Sequence, residues 1–166
     1  MQIASLQLPE TQQLLQTSSS FFVPRAANHS NNVAPVTHKD LRAKEQPPMA
    51  LVVDDVADVT EMISLFLRHA GFTVATAASA TAALELARGE VFDVVISDIG
   101  MPGMNGYQLA EALRELPDYQ VVPMIAVTGY SMYGDRERAI QSGFNAHLTK
   151  PIDPSTLLDL IAELRD

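Results

Sequence analysis

The chain has 166 residues, 47% of them hydrophobic, which suits one ordinary domain with a sizeable core. Its formal net charge of −9 argues against a nucleic-acid surface, which requires a basic patch, and against adsorption to anionic lipid. The chain has no cysteine, which excludes disulfides and thiolate chemistry. It also has no secretory signal and no apolar run of about 18 residues. We therefore expect a soluble cytoplasmic protein that binds neither nucleic acid nor membrane.

Residues 1–48 differ in composition from the rest of the chain. They contain 4 Lys or Arg against 3 Asp or Glu, whereas residues 49–166 contain 7 against 17. They are also rich in Ser, Thr, Asn, Gln and Pro, a composition that buries too little apolar surface to offset the entropy of the chain. We predict a disordered N-terminal arm over residues 1–48 and a folded domain over residues 49–166.

After Pro48, short runs rich in Val and Ile alternate with segments of helical periodicity. This alternation is typical of βα units that build a parallel sheet buried on both faces. The predicted strands are residues 50–54, 73–77, 92–97, 121–127 and 146–149. The second is the least apolar, so we expect it at an edge of the sheet.

Helices are predicted between these strands. Gly71 suits the end of the first helix, Ser79 the cap of the second, and Asp153 with Pro154 the start of the fifth. The apolar faces are Val59, Met62, Ile63, Phe66 and Leu67 in the first helix, Leu109, Ala112, Leu113 and Leu116 in the third, and Leu157, Leu158, Ile161 and Leu164 in the fifth.

The fourth helix, predicted over residues 135–142, is mostly polar and leaves only Ala139 and Ile140 for the core. It should be the least anchored helix. Two interpretations stay open at this point: an element that shifts at low energetic cost, or a helix that is simply solvated.

Polar residues follow four of the predicted strands, as Asp54-Asp55, Asp98, Thr128 and Lys150. In open α/β sheets ligands bind beyond the carboxyl ends of the strands. Three carboxylates gathered there repel one another unless a hard cation or protons neutralise them, or unless a phosphoryl group is handled at the site. The sheet edge is therefore a candidate functional site.

These residue types suit phosphoryl transfer onto a carboxylate. Asp98 can serve as nucleophile, while Asp54 and Asp55, with Asp98 and a backbone carbonyl, can hold Mg²⁺. The Thr128 hydroxyl and the Lys150 ammonium can meet the phosphoryl oxygens. No general base is needed because a carboxylate is already ionised, so positioning and charge neutralisation supply the catalysis.

Each of these residues also has an ordinary structural explanation. Asp55 or Asp58 can cap a helix, Asp98 can cap a turn, Thr128 is a common strand-end residue, and Lys150 can be a solvated loop charge. All of these residues lie at the same end of four different predicted strands, and this coincidence favours a functional site.

Four runs then resemble the receiver domain of bacterial two-component response regulators: residues 51–55, 98–106, 127–129 and 148–151. The resemblance covers residues 49–166. It implies an α/β, flavodoxin-like (βα)₅ doubly wound parallel sheet of order 2-1-3-4-5. It also implies phosphorylation by a histidine kinase or a histidine phosphotransfer protein.

The resemblance implies a role for each matching residue: Asp98 is the phosphoacceptor, Asp54 and Asp55 the acidic pair that binds Mg²⁺ with Asp98, Gly100 the donor of a carbonyl ligand, Thr128 the switch hydroxyl, Lys150 the phosphate-sensing lysine, and Lys150-Pro151 a cis peptide.

Two positions depart from the family pattern. Asn105 stands where the family often has Asp, and we expect little effect. His147 stands where Tyr or Phe is usual, three residues before Lys150, and an odd offset on a strand places it on the face opposite Lys150. A switch role with a titratable charge and a plain surface histidine both stay open. Residues 143–153 resemble receivers of hybrid sensor kinases.

With no output domain after Asp166, the expected protein is a single-domain response regulator, a phosphoprotein that signals by changed contacts on the face of helix 4, strand 5 and helix 5. It is expected not to be an enzyme beyond self-catalysed phosphotransfer and slow autodephosphorylation, with Tyr130 screening attacking water. Phosphohydrolases of this chemistry need a carboxylate two residues after the nucleophile, and here that residue is Gly100. The alternatives are a phosphorylation-independent pseudo-receiver or adaptor, and a receiver module of a split hybrid-kinase phosphorelay.

Overall fold

The computed structural model describes residues 46–129 and 135–166, without the side chain of Asp135. All of these residues belong to one compact unit. Tyr130 and residues 1–45 of the predicted arm lie outside the described residues, so the expectations placed on them stay predictions.

Within residues 46–129 and 135–166, five strands alternate with five helices. The strands are β1 (Met49–Val53), β2 (Thr73–Ala77), β3 (Val94–Asp98), β4 (Met124–Thr128) and β5 (Ala146–Thr149). The helices are α1 (Ala57–His69), α2 (Ala80–Gly89), α3 (Gly106–Glu115), α4 (Asp135–Gln141) and α5 (Pro154–Arg165), with a short 3₁₀ helix at Pro117–Tyr119. Within the described ranges, every helix is too short or too polar to cross a lipid bilayer.

The strands form one sheet of order β2-β1-β3-β4-β5, and every neighbouring pair is parallel. The predicted flavodoxin-like doubly wound fold and its strand order are therefore confirmed. The three central strands β1, β3 and β4 are buried along their whole length, whereas β2 is partly exposed at the edge, as its composition predicted.

Alternate residues of the central strands point into two separate apolar clusters. Leu51 and Val95 join the cluster that also contains residues of α2, α3 and α4, while Val52 and Ile96 join the cluster formed with α1 and α5. Each fully buried Leu, Ile or Val contributes roughly 1.5–3 kcal/mol. Burial on both faces is the reason that these strands are continuous apolar runs.

The predicted helix boundaries at three positions are confirmed. Ser79 caps α2 by accepting a hydrogen bond from the Ala82 amide, and Asp153 caps α5 with Pro154 as its first residue. Gly71 follows α1 with a φ of +91°, a conformation that glycine adopts without a steric cost.

Two predicted elements need correction. The strand predicted over residues 121–127 begins only at Met124: Val121 is 78% exposed, and Pro123 has no amide hydrogen to donate to a ladder.

In α4, Ala139 is buried but Ile140 is 48% exposed, so the prediction that Ile140 enters the core was wrong. A helix of seven residues presents little more than one side chain to the sheet. Arg138 adds a second anchor, because its guanidinium lies 4.4 Å from the Tyr107 ring centre.

Candidate functional site

Four of the predicted site residues lie at the same edge of the sheet. Asp98 and Thr128 are the last residues of β3 and β4, and Asp54 and Lys150 directly follow β1 and β5. These strands are neighbours in the sheet and parallel, so their carboxyl ends meet at one edge.

Lys150 joins two of the carboxylates. Its Nζ lies 2.7 Å from Asp54 Oδ2 and 2.8 Å from Asp98 Oδ1, and it donates a hydrogen bond to each. The side chains of Asp54 and Asp98 are only 2% and 7% exposed, whereas the Lys150 side chain is 25% exposed. Two buried carboxylates therefore share one partly buried ammonium group.

The environment of Lys150 has opposing effects on its pKa. Burial lowers it, but the hydrogen bonds to Asp54 and Asp98 and the negative charges of those groups together raise the pKa of Lys150 above its ordinary value. The ammonium form is thus favoured at neutral pH. The stabilisation that it contributes is complete below the ordinary lysine pKa and is lost as pH rises through the higher folded value.

Asp54 is held by its second oxygen as well. Its Oδ1 accepts a hydrogen bond from the Val56 amide at 2.9 Å. Val56 is the N-cap of α1 and no side chain caps that helix, so neither Asp55 nor Asp58 has the capping role that their sequence positions allowed. Asp55 is exposed beside the buried Asp54.

The loop after β3 lies close against Asp98. A Cβ added to Gly106 would collide with the Asp98 backbone carbonyl and come within 2.8 Å of Ile99 Cα, so only glycine fits there. A Cβ added to Gly100 would lie 3.4 Å from Asp98 Oδ2, which places the Gly100 backbone beside that oxygen. Asn105 begins α3 with a reciprocal capping box to Gln108, which fixes the other end of this loop.

The donor atoms at this edge suit a hard cation. Within the described ranges, no group of three or more His, Asp or Glu side chains is arranged to hold a metal ion. Mg²⁺, however, commonly uses only one or two carboxylates and keeps several waters. Asp54 and Asp98, with the backbone of Gly100 beside Asp98, supply oxygen donors of that kind, so the residues present fit Mg²⁺.

Thr128 is buried, and its carbonyl accepts a hydrogen bond from the Lys150 amide at 2.8 Å. This bond ties the chain after β5 to the end of β4. The Lys150–Pro151 peptide is cis, as the resemblance implied.

His147 lies on β5 in register with Ala126, which belongs to the cluster of α2, α3 and α4. Its neighbours on β5, Ala146 and Leu148, pack against the other cluster. Within the described part of the chain, His147 Nε2 is buried and has no hydrogen-bond partner. The histidine is thus not a plain surface residue, and it faces away from the α1 and α5 side.

The arrangement differs from the sequence-based expectation in one respect. From the sequence, we expected a cation, protons or a phosphoryl group to neutralise the carboxylates. We expected Lys150 to bind phosphoryl oxygens. In the structure the Lys150 ammonium itself neutralises Asp54 and Asp98. The sequence had already indicated that these three side chains lie at one sheet edge, because each of them ends or follows a predicted strand. That position was the only indication in the sequence that Lys150 could reach the two carboxylates.

The response regulator receiver domain family matches residues 50–162 of this chain. The chain therefore belongs to the response regulator receiver domain family. The fold described above and the polar strand ends are in accord with this membership.

Individual relatives agree with it. The response regulator Rre1 of Synechocystis is 39% identical over 120 residues, which cover 72% of this chain and 52% of Rre1. The chain thus spans about half the length of that relative. The chemotaxis response regulator CheY4 of Vibrio cholerae has a similar structure, with a TM-score of 0.68, 33% identity, and coverage of 72% of this chain and 99% of CheY4.

A third relative is the receiver domain of the sensor histidine kinase PA1611 from Pseudomonas aeruginosa, whose structure has a magnesium ion coordinated in the active-site cleft. It is 28% identical with a TM-score of 0.67, and the match covers 72% of this chain and 98% of that domain.

Proposed function

We propose that this chain is a response regulator receiver that accepts a phosphoryl group on Asp98 in a Mg²⁺-dependent reaction. The observation that supports the proposal is the contact of Lys150 with both Asp98 and Asp54, because it places a cation beside the acceptor at the carboxyl edge of the sheet. The proposed donor is a phosphohistidine on a histidine kinase or a histidine phosphotransfer protein of a cytoplasmic phosphorelay.

In the proposed reaction an Asp98 carboxylate oxygen attacks the phosphorus atom. A P–O bond forms to Asp98 as the P–N bond to the donor imidazole breaks, and the bonding electron pair stays on the imidazole nitrogen. The product is an aspartyl phosphate. Because the attacking group is a carboxylate and has no proton to lose, no general base is required, and the rate depends on alignment and charge neutralisation.

The residues proposed to hold Mg²⁺ are Asp54, Asp55, Asp98 and the Gly100 carbonyl. When bound, the ion neutralises charge on the phosphoryl oxygens. The magnesium ion in the PA1611 receiver supports this assignment, as does the oxygen donor set of this chain. Thr128 and Lys150 would bind the remaining phosphoryl oxygens, since Thr128 ends β4 beside β3 and Lys150 Nζ lies 2.8 Å from Asp98 Oδ1.

Signalling is proposed to pass through the face formed by α4, β5 and α5. A phosphoryl group that draws Thr128 and Lys150 inward alters the ends of β4 and β5, and His147 on β5 is proposed to report that change together with Pro151. The downstream partner is a protein. Hydrolysis by the chain itself should be slow, because Gly100 stands where an acid-base carboxylate would be needed.

The proposal is tested by incubating the purified protein with a small phosphodonor and measuring its intact mass. We expect one added phosphoryl group with Mg²⁺, little or none with a chelator, and none in Asp98→Asn. Asp118→Asn is the matched control because Asp118 is an exposed carboxylate in the 3₁₀ helix that precedes β4 in the chain. An equal adduct in Asp98→Asn and the wild type contradicts the proposal, and the absence of any adduct favours the adaptor alternative.

A further inference from the structure

Helix α4 receives two of its contacts from α3. The guanidinium of Arg138, on α4, lies 4.4 Å from the ring centre of Tyr107, in the first turn of α3. Near the other end of α3, Arg114 donates two hydrogen bonds to the carbonyl of Gly143, just after α4. Ala139 is the one buried residue in the described part of α4. The position of α4 therefore depends on α3 as well as on the sheet.

The first turn of α3 lies directly against the proposed phosphoacceptor. The Gly106 amide, at the start of α3, donates a hydrogen bond to the Ile99 carbonyl at 3.0 Å. A Cβ on Gly106 would collide with the Asp98 carbonyl oxygen, so the two backbones are in contact. Tyr107 is the next residue, and it is buried in the same apolar cluster as Ala139. A displacement of the Asp98 backbone therefore has to move Gly106, and Tyr107 moves with it.

We propose that the stack of Arg138 on Tyr107 connects the phosphoacceptor to α4, by a route that runs from Asp98 through the start of α3. Tyr107 and Arg138 act as positioning residues on this route. The inference rests on the proposed function, because phosphorylation of Asp98 is the event that the stack would transmit. It deepens that function by adding a route that does not use the Thr128 hydroxyl.

The stack suits this role because it is weak and depends on distance. A guanidinium is attracted to the face of a tyrosine ring within about 6 Å, and at an exposed site the contact shifts an equilibrium about two- to fivefold. Tyr107 is buried whereas Arg138 is exposed, so the ring is the fixed partner. Because α4 has so little buried surface, a displaced ring can change the population of its positions.

A phosphoryl group on Asp98 would supply the displacement. The loop after β3 packs close to this carboxylate, since a Cβ on Gly100 would lie 3.4 Å from Asp98 Oδ2. Phosphorylation adds bulk and negative charge beside this loop, and the loop continues directly into Gly106 and Tyr107. We expect the stack to loosen and the amides of α4 to exchange faster.

The first test compares hydrogen exchange of α4 in wild type, Arg138→Met and Arg136→Met before phosphorylation. Arg136 is an exposed arginine of the same helix, which makes it the matched control. Loss of the stack should speed exchange about two- to fivefold in Arg138→Met, and loss of the control charge less than about 1.5-fold. Equal exchange in wild type and Arg138→Met overturns the inference.

A static anchor would give the same result, so the second test measures the response to phosphorylation. Each protein is treated with a small phosphodonor and Mg²⁺, and intact mass gives the phosphorylated fraction. Exchange of α4 should become about two- to fivefold faster in wild type and Arg136→Met, but change less than about 1.5-fold in Arg138→Met at the same fraction. A full response in Arg138→Met, or none in phosphorylated wild type, overturns the connection.

A double-mutant cycle tests whether Arg138 acts through the ring. Tyr107→Leu keeps an apolar side chain at the buried position but removes the aromatic face. In this background Arg138→Met should change α4 exchange less than about 1.5-fold, because no stack remains to be lost. Independent, multiplicative effects of the two changes overturn the proposed contact. Circular dichroism checks that Tyr107→Leu folds, and the two preceding tests decide the inference without that variant.

Intact mass separates this inference from the proposed function. If Asp98 is phosphorylated and α4 does not respond, the connection is overturned and the phosphoacceptor function stays intact. If wild type gains no phosphoryl group, or gains one that Asp98→Asn gains equally, the proposed function and the connection are overturned together.

Discussion

At the end of the sheet opposite the acidic pair, Arg114 donates five hydrogen bonds through its guanidinium group. The acceptors are the carbonyls of Tyr119, Val122 and Gly143, the last accepting two, and the side-chain oxygen of Asn145. All are neutral, so backbone dipoles rather than a carboxylate stabilise the charge, and burial lowers the pKa of Arg114. This residue joins α3 to the segments that begin β4 and β5.

Two features favour glycine at position 143, its backbone conformation and the lack of space for a Cβ. A comparison with Gly71 separates their effects on stability. Its φ is +108°, and an added Cβ would lie 2.7 Å from Arg114 Cγ. Gly71 has a φ of +91° but open space around its Cβ position. We expect Gly71→Ala to lower the free energy of unfolding by about 1–2 kcal/mol and Gly143→Ala by about 2–4 kcal/mol, because only the second adds a clash. Urea unfolding measures both, and equal losses would show that Arg114 moves aside freely.

Asp153 makes a pH-dependent contribution to stability. Hydrogen bonds from the Ser155 hydroxyl, the Thr156 amide and the Thr156 hydroxyl lower the pKa of Asp153 to about 2. A lowered folded pKa stabilises the protein above the unfolded value of about 3.9 and the effect disappears as pH falls towards 2. We expect Asp153→Asn to unfold at a lower temperature than wild type at pH 6, with a difference that shrinks below about pH 4. A difference that is constant from pH 6 to pH 3 would contradict this.

Among the helices, α4 has the fewest buried residues in the part of the chain that the structure describes. Ala139 is its only buried residue in the described part of that helix, and Arg138 adds a stacking contact with Tyr107. By contrast, α3 buries Tyr107, Leu109, Ala110 and Leu113. The expectation of weak anchoring agrees with this burial, while the choice between a shifting element and a merely solvated helix stays open.

Hydrogen exchange distinguishes the two helices. We expect amides of α4 to exchange at least about tenfold faster than those of α3 in the unphosphorylated protein, because few buried contacts hold α4 in place. Mass spectrometry of peptides from the two segments measures this. Equal protection of α4 and α3 would show that the Arg138 contact and the chain ends anchor α4 more firmly than its burial indicates.

Elements with a simple periodic cause were predictable from the sequence, and elements that depend on particular neighbours were less so. The five strands and the caps at Ser79 and Asp153 follow from alternation, burial and turn chemistry, whereas the strand order was implied by the resemblance to receiver domains. The predicted start of β4 was wrong because valine is a residue type that favours strands, so Val121 was included. The chain before Pro123 is instead held by hydrogen bonds from the Arg114 guanidinium to backbone carbonyls, and not by hydrogen bonds to a neighbouring strand. No periodicity encodes a contact of that kind.

On the scale of the whole molecule, the fold turns large separations along the chain into contacts. Lys150 lies 96 residues from Asp54 and 52 from Asp98, yet it binds both. The sequence predicted that these residues share a sheet edge, because parallel strands end together. It did not predict that Lys150 already neutralises the carboxylates, since that depends on the reach and rotamer of one side chain.

Charge at this scale explains the special position of Lys150. Residues 49–166 contain 17 acidic side chains and 7 Lys or Arg, and Lys150 is the only lysine among them. No other lysine of the domain could therefore replace it as the long, flexible cation that binds Asp54 and Asp98. The acidic surface elsewhere is expected to disfavour anionic partners such as nucleic acid.

Among the acidic residues of this edge, we propose that Asp98 receives the phosphoryl group. The most direct test is to phosphorylate the protein with Mg²⁺ present, reduce the acyl phosphate with borohydride, and sequence the peptides by tandem mass spectrometry. Reduction converts a phosphorylated aspartate to homoserine, and we expect homoserine at position 98 and unmodified aspartate at positions 54 and 55. Homoserine at position 54 or 55 with Asp98 intact would contradict the assignment of Asp98 as the phosphoacceptor.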